Sequence, residues 1–488
     1  MDRRGAIRLA VLLIGVCVCA PLTAATSPSA VAAEPSCDEP FFGFGVGQPG
    51  GEGRVDLRTR AGVSRVISRW PLEQEAQDGD RFGAAVVLAD LDGDECVDVV
   101  VGAPGVDGGG AVYVIYGTPA GLGTGASIRI PFHANPGDAF GKALAVETLN
   151  NQTTHSRFGR IWIGAPGRDV SGQANAGAVA YTEVVNGVAS APRLYTQNSP
   201  GVPGGAEPGD RFGEELAPVQ SDELGRRGGV LVGQPSEDIG ARVNAGMLTV
   251  LPAPGASPAG PGPYGVTEDT PGVPGAVETG DRFGAAVDAF RGVGWVGVPY
   301  EDLGAVRDVG MVHGLRLGAT KVTSFAYLRQ GQDNGATMPG RPEAGDHFGA
   351  SVRGAYILYP DTCHSPQVVI GVPGEDVGTA TNAGQVDSYM SGDQDIDCLD
   401  ASAFTMGANA NSGDRLGAAL GVESDFGDGP DTVLLGIPGE DVATAIDAGV
   451  VVQRSFVGGK AGPFSTQAVY TQSDGSFTGA HYGAVLNR

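Results

Sequence analysis

Lysine is almost missing: three of the 31 basic residues, Lys142, Lys321 and Lys460, stand against 56 acidic ones. The net charge of −25 repels nucleic acid and anionic membrane, so neither is expected as a partner. Histidine is scarce and scattered. His133, His155, His313, His347, His364 and His481 make no His-Glu-x-x-His metal pair. No Gly-x-Ser-x-Gly elbow occurs, and no glycine-rich phosphate loop leads into a helix. Nothing in the chain assembles a nucleophile, a base and an orienting group. Helical periodicity is rare, and beyond the N-terminus no apolar run is long enough to span a bilayer.

Glycine and proline are plentiful, at 81 and 33 residues, and they bound short runs of Val, Ile, Leu and Tyr. Both residue types break regular elements and mark turns, so the pattern predicts many short strands. The N-terminus has another character. Arg3, Arg4 and Arg8 lead into the apolar run Leu9 to Ala20, and small residues follow up to Val31-Ala32-Ala33. Residues 1–33 therefore read as an export signal cleaved after Ala33, which makes the mature chain two charges more negative. The general secretory route is favoured, because the residues that usually follow a twin-arginine pair are absent. Four cysteines remain: Cys37, Cys96, Cys363 and Cys398. An even number in an exported chain predicts two disulfides with three pairings open, of which nearness along the chain favours Cys37–Cys96 and Cys363–Cys398.

One unit recurs. Gly79 to Gly117 reads as three strands, Ala84–Ala89, Val97–Val101 and Ala111–Tyr116. Phe82-Gly83 opens the unit and Gly102-Ala103-Pro104 follows its second strand. The Gly-Asp-x-Phe-Gly opening returns at Phe140, Phe212, Phe283, Phe348, Leu416 and Tyr482. The Gly-x-Pro mark returns at Gly164, Gly233, Gly297, Gly371 and Gly436. A more variable fourth strand closes most units, as at Ala126–Ile130 and Lys321–Leu328. A four-stranded meander cannot bury both faces alone, so radial stacking of the units is expected. Phe42 to Ser68 carries Gly47-Gln48-Pro49 and two later strands but no opening, while residues 479–486 supply an opening strand and nothing after it. Together they make a seventh unit closed by the two chain ends, which leaves no free edge.

The unit resembles the FG-GAP repeat of integrin α-chain N-terminal propellers and of secreted bacterial proteins. The fold class expected is all-β: a seven-bladed β-propeller of four-stranded antiparallel blades. The blades run over 38–72 with 477–488, 73–132, 133–200, 201–271, 272–338, 339–406 and 407–476, so 34–488 is a single domain.

Between the first two strands, Asp90, Asp92, Asp94 and Asp98 stand at loop positions 1, 3, 5 and 9, with Gly93 permitting the turn. Calcium takes about 6–8 oxygens, and alternate side chains in a tight turn can converge on one ion. The backbone carbonyl of Cys96 adds a candidate at position 7. The resemblance puts the same four aspartates at the family's ligand positions and implies structural Ca2+. The corresponding loops of the second to fourth blades have lost the acidic alternation. The sixth keeps Asp425, Asp428 and Asp431 out of register, as a weaker metal candidate.

The opposite face of the disc carries repeated Glu-Asp pairs in the strand 2–3 turns: Glu237-Asp238, Glu301-Asp302, Glu375-Asp376 and Glu440-Asp441. These either accept backbone N–H groups and fix the turns or form an acidic face for a basic partner. The function expected is a secreted, monomeric, non-catalytic recognition or adhesion module whose ligand is an extracellular protein or glycan. The alternative is a hydrolase or lyase with its site at the central channel.

Overall fold

The short runs bounded by glycine do form strands, and the strands assemble into seven sheets. The computed structural model describes residues 37, 43–50, 53–59, 64–69, 76–151, 156–220, 228–254, 262–318, 320–331, 338–355, 367–391, 400–423, 432–455, 465–472 and 480–486, all within the unit Cys37–Arg488. The export signal, Cys363, Cys398, Asp425, Asp428 and Asp431 fall outside the described residues. In the first blade Ala85–Ala89, Asp98–Ala103, Ala111–Ile115 and Ser127–Arg129 pair in chain order, all antiparallel. The third to sixth blades repeat that meander. In the second blade the outer place is shared by Val188–Ala189 and Arg193–Tyr195, both paired with Ala178–Val185.

The chain ends meet as expected. Val485–Leu486 pairs with Gly43–Gln48, Val46 opposite Leu486 and Gly47 opposite Val485. Arg54–Thr59 and Ser64–Ile67 complete that sheet. Across the seam the Tyr482 hydroxyl donates to Asp56 Oδ2 at 3.2 Å, and the same oxygen receives Arg58 at 2.9 Å.

Strand composition follows position in the ring. Second strands such as Asp98–Ala103, Val293–Val298 and Gln367–Val372 are buried along their whole length, because neighbouring blades cover both faces. They read as continuous apolar runs for that reason. Outer strands such as Ser127–Arg129 are mostly exposed and less regular in sequence. Among the described residues, seven apolar clusters each span two neighbouring blades, and each contains one opening aromatic or its substitute: Phe140, Phe283, Phe82, Phe212, Phe348, Leu416 and Tyr482.

The Phe-Gly pair also ties the backbone in two directions. Phe140 N–H donates to Gly109 O of the preceding blade at 2.8 Å, while Gly141 N–H donates to Gly164 O of its own blade at 2.9 Å. The next five blades repeat the first bond, from Phe212, Phe283, Phe348, Leu416 and Tyr482 to Ala176, Ala245, Val309, Ala383 and Ala448. The Gly-x-Pro glycine is fixed by the same geometry, since a Cβ on Gly102 would strike the carbonyl oxygen of Gly141 in the next blade. The disulfide favoured from sequence is present: Cys37 is bonded to Cys96, tying the lead-in of the split blade to the strand 1–2 loop of the first.

Candidate functional site

Two ends of the blades carry chemistry. At one end lies the loop from Asp90 to Asp98. Asp90, Asp92 and Asp98 each present a carboxylate oxygen within 4.8 Å of the others. Asp94 does not join them; it is exposed and its Oδ1 accepts the Cys96 N–H at 2.8 Å. The loop is held from within. Asp98 is fully buried, and its two oxygens accept the N–H groups of Leu91 and Gly117 at 2.8 Å each. Asp90 accepts Gly93 N–H at 2.7 Å, across a turn in which Gly93 and Glu95 adopt φ of 85° and 72°. Burial pushes Asp98 up to about 7 despite those two bonds, with Asp92 and Asp90 adding repulsion. A carboxylate oxygen that accepts one N–H still has a lone pair to offer. The three acids therefore fit a hard cation, and the Cys96 side chain, spent in its disulfide, leaves only its carbonyl to contribute.

At the other end, the Glu-Asp turns are turned inward. Asp238, Asp302, Asp376 and Asp441 each accept the N–H six residues on, from Asn244, Asp308, Asn382 and Asp447, at 2.8–2.9 Å. Asp169 does the same for Asn175. Glu237 is buried; Glu301, Glu375 and Glu440 are half-buried. These eight residues thus serve mainly as turn and junction groups. Of these eight, Asp376 and Asp441 are exposed.

The glutamates meet a second set of acids at the blade junctions. The aspartate of each Gly-Asp-x-Phe-Gly opening accepts the N–H three residues before it, as Asp80 does from Gln77, Asp210 from Glu207 and Asp281 from Glu278. Each of these aspartates is buried. Entering the first blade, Asp80 is paired with Arg69 at 2.6 Å; entering the second, Asp138 is paired with Arg168 at 2.5 Å. Entering the third to sixth, a glutamate replaces the arginine. Burial, with Asp210 close by, pushes Glu237 up to about 8. Glu301 also reaches about 8, through burial and the neighbouring Glu268 and Asp281, and Glu440 about 7, through burial and Asp414. An amide from the preceding blade relieves two of the four: Gln197 Nε2 donates to Glu237 at 2.6 Å and Gln330 Nε2 to Glu375 at 2.5 Å.

On this same face the central channel opens. The channel is lined largely by the residues after Phe-Gly, among them Ala84, Ala85, Ala143, Ala285, Ala286, Ala350, Ala418 and Ala484, and encloses about 220 Å³. Lys142, Glu215 and Arg353 are its charged members. Its mouth is a depression of about 760 Å³ whose wall includes Arg211, Arg282, Tyr300, His347 and Arg415. These arginines and the histidine occupy the variable place before the aromatic, where the chain is left-handed in every blade: Arg81, Ala139, Arg211, Arg282, His347, Arg415 and His481 have φ of 50–58°. Arg211 is paired with Glu214 at 3.0 Å, and the Arg282 guanidinium lies 4.7 Å from the Tyr300 ring centroid.

The FG-GAP repeat family model matches residues 82–115, which is the first blade from its opening aromatic to its third strand. Seven such sheets close in a ring. The chain is a seven-bladed β-propeller that contains an FG-GAP repeat. No curated protein matches it. Among solved structures it is similar to the six-bladed β-propeller fungal lectin of Aleuria aurantia, described with a novel fucose recognition mode, at 8% identity and a TM-score of 0.35 over 80% of this chain and 96% of that one.

Sequence reasoning placed the Asp90 loop but missed two features of this propeller. The junction residues Arg69, Gln197, Glu268 and Gln330 all lie two places beyond the end of an outer strand, at Ile67, Tyr195, Val266 and Leu328. Aligning those variable strand ends would have exposed the set. The arginines of the mouth were legible too, as a column of arginine and histidine in the opening motif.

Proposed function

We propose that this propeller is an exported, calcium-stabilised, non-catalytic recognition module, and that its ligand is anionic and docks over the mouth of the central channel. The observation that carries this reading is the residue choice before the opening aromatic. A left-handed backbone favours Gly, Asn or Asp, yet six of the seven positions hold arginine or histidine. The turn explains the conformation and not the charge. The four arginines among them, Arg81, Arg211, Arg282 and Arg415, gather positive charge about one axis of an otherwise acidic protein and focus an attractive field there. Carboxylated or sulfated glycan is the ligand class that suits such a mouth, with Tyr300 offering an aromatic face. The alanine lining of the channel favours a binder over the hydrolase or lyase alternative.

Export is supported by the N-terminal signal pattern and by the Cys37–Cys96 disulfide. Asp90, Asp92 and Asp98 would hold Ca2+, which supplies charge neutralisation to a loop that otherwise gathers three acids. Chelation should then lower the melting temperature, and Asp90→Asn should abolish the difference. The recognition reading is tested on immobilised dextran sulfate against neutral dextran. Salt-sensitive retention on the sulfated matrix, lost in Arg211→Ala/Arg282→Ala/Arg415→Ala at unchanged melting temperature, is expected. Equal retention of that variant would refute it.

A further inference from the structure

The junction between the third and fourth blades differs from every other. Where Gln197 and Gln330 place an amide at the flanking junctions, Glu268 places a third carboxylate beside Asp281 and Glu301. One oxygen from each of the three lies within 4.8 Å of the others. Glu268 is 3% exposed and Asp281 2% exposed. Among the described residues no arginine or lysine pairs with any of them within ion-pair distance; Arg242 is only the weakest influence on Asp281.

A second observation is independent of the clustering. Glu268 Oε2 and Glu301 Oε2 are buried and have no hydrogen-bond partner. A buried carboxylate oxygen left unsatisfied costs free energy, and its neighbours at the flanking junctions are satisfied by amides. The other oxygen of Glu268 lies 3.4 Å from His313 Nε2. His313 is fully buried in the third strand of the fourth blade, with its ring against Phe283. Burial holds that imidazole neutral, down at about 4, so it orients Glu268 without neutralising it. On the other side Gly275, at φ +106°, presses its backbone against Glu268 Oε1; a Cβ there would come within 2.5 Å of that oxygen. The glutamate is thus wedged between the connection and the histidine.

We propose that Glu268, Asp281 and Glu301 form a binding site for a hard divalent cation, Ca2+ foremost, at the junction of the third and fourth blades. All three donors are oxygens, the set that selects calcium, magnesium or manganese over softer metals. Half-buried Glu301 leaves the way in from solvent. Asp281 already accepts Glu278 N–H at 2.6 Å through Oδ2, which fixes its other oxygen for the ion. The site lies at the opposite end of the strands from the Asp90 loop and is independent of it.

The test uses the full mature chain stripped with chelator and titrated calorimetrically with CaCl2, and separately with MgCl2 and MnCl2. Glu268→Gln is the informative variant, because glutamine is what the two flanking junctions carry, so the substituted blade should fold. The expected result is loss of one equivalent of cation in Glu268→Gln, with Asp90→Asn removing a different one and the double variant removing both. A Mn2+-soaked crystal of the unsubstituted protein should also show an anomalous peak between the three carboxylates. Unchanged stoichiometry in Glu268→Gln overturns the proposal, as does a soaked crystal with no peak there. In that case the acids hold protons only.

Discussion

At the entrances to the first and second blades an arginine faces the connection aspartate; at the entrances to the third through sixth a glutamate does. The backbone at all of these junctions is the same, down to the N–H that each aspartate accepts from three residues before it. What differs is how a buried carboxylate is kept from being a lone charge. Arg69 comes from the outer strand of the preceding blade and Arg168 from the strand 2–3 turn, so two corners of one junction can each supply the cation. The glutamate junctions supply none, and must keep a proton or accept a cation from solution. The Phe-Gly framework therefore fixes where the acid sits, while residues outside the motif decide its charge state.

The contrast is broken most sharply at Arg69. Arg69→Met should leave Asp80 buried and unpaired, at a cost of about 3–5 kcal/mol, read by denaturant unfolding; a loss under about 1 kcal/mol would mean the pair is not desolvated. The same two blades are also fastened covalently, at the opposite end of their strands. Cys37 and Cys96 are 59 residues apart in sequence, and a closed loop of that size is worth roughly 2–4 kcal/mol. Cys37→Ser/Cys96→Ser should lose that amount in non-reducing buffer, and reduction of the unsubstituted protein should reproduce the loss.

The glutamate side predicts a pH dependence. Burial raises Glu237 and Glu301 to about 8 from the 4.5 of an ordinary glutamate. In that interval the folded chain holds protons that the unfolded chain releases, so stability in chelator is greatest at the acid end and falls as pH rises through about 8. Glu237→Gln should flatten the fall, keeping the Gln197 contact without a titrating group; an unchanged profile of melting temperature against pH would contradict this. The smallest effect belongs to the exposed turn acids. Asp441→Asn keeps an acceptor for the Asp447 N–H and should change stability by no more than about 0.5 kcal/mol.

The ring was readable in advance because its determinants are local and repeated. Phe82-Gly83 and Gly102 each perform one backbone task, so every blade needs nearly the same residues at the same places. The Asp90 loop was readable because its acids lie within nine residues of one another, although Asp94 faces solvent despite standing at an alternate position. The Glu-Asp turns were seen but their direction was not. Whether Glu237 faces solvent depends on Gln197 and Asp210, 40 and 27 residues earlier in the chain, which meet it only when two blades stack. Glu268 was hidden more deeply, since it follows the least regular strand of its blade and gains meaning only beside Asp281, Glu301 and His313.

The measurement closest to the heart of the account is proton exchange on unfolding. Metal-stripped protein is unfolded by denaturant at pH 6.5 in weakly buffered solution with an indicator dye. The buried carboxyls at the third to sixth junctions should give up several protons, with His313 taking back a fraction of one. Net release is the result predicted; net uptake, or no change in proton count, would show that those acids are already ionised in the folded ring.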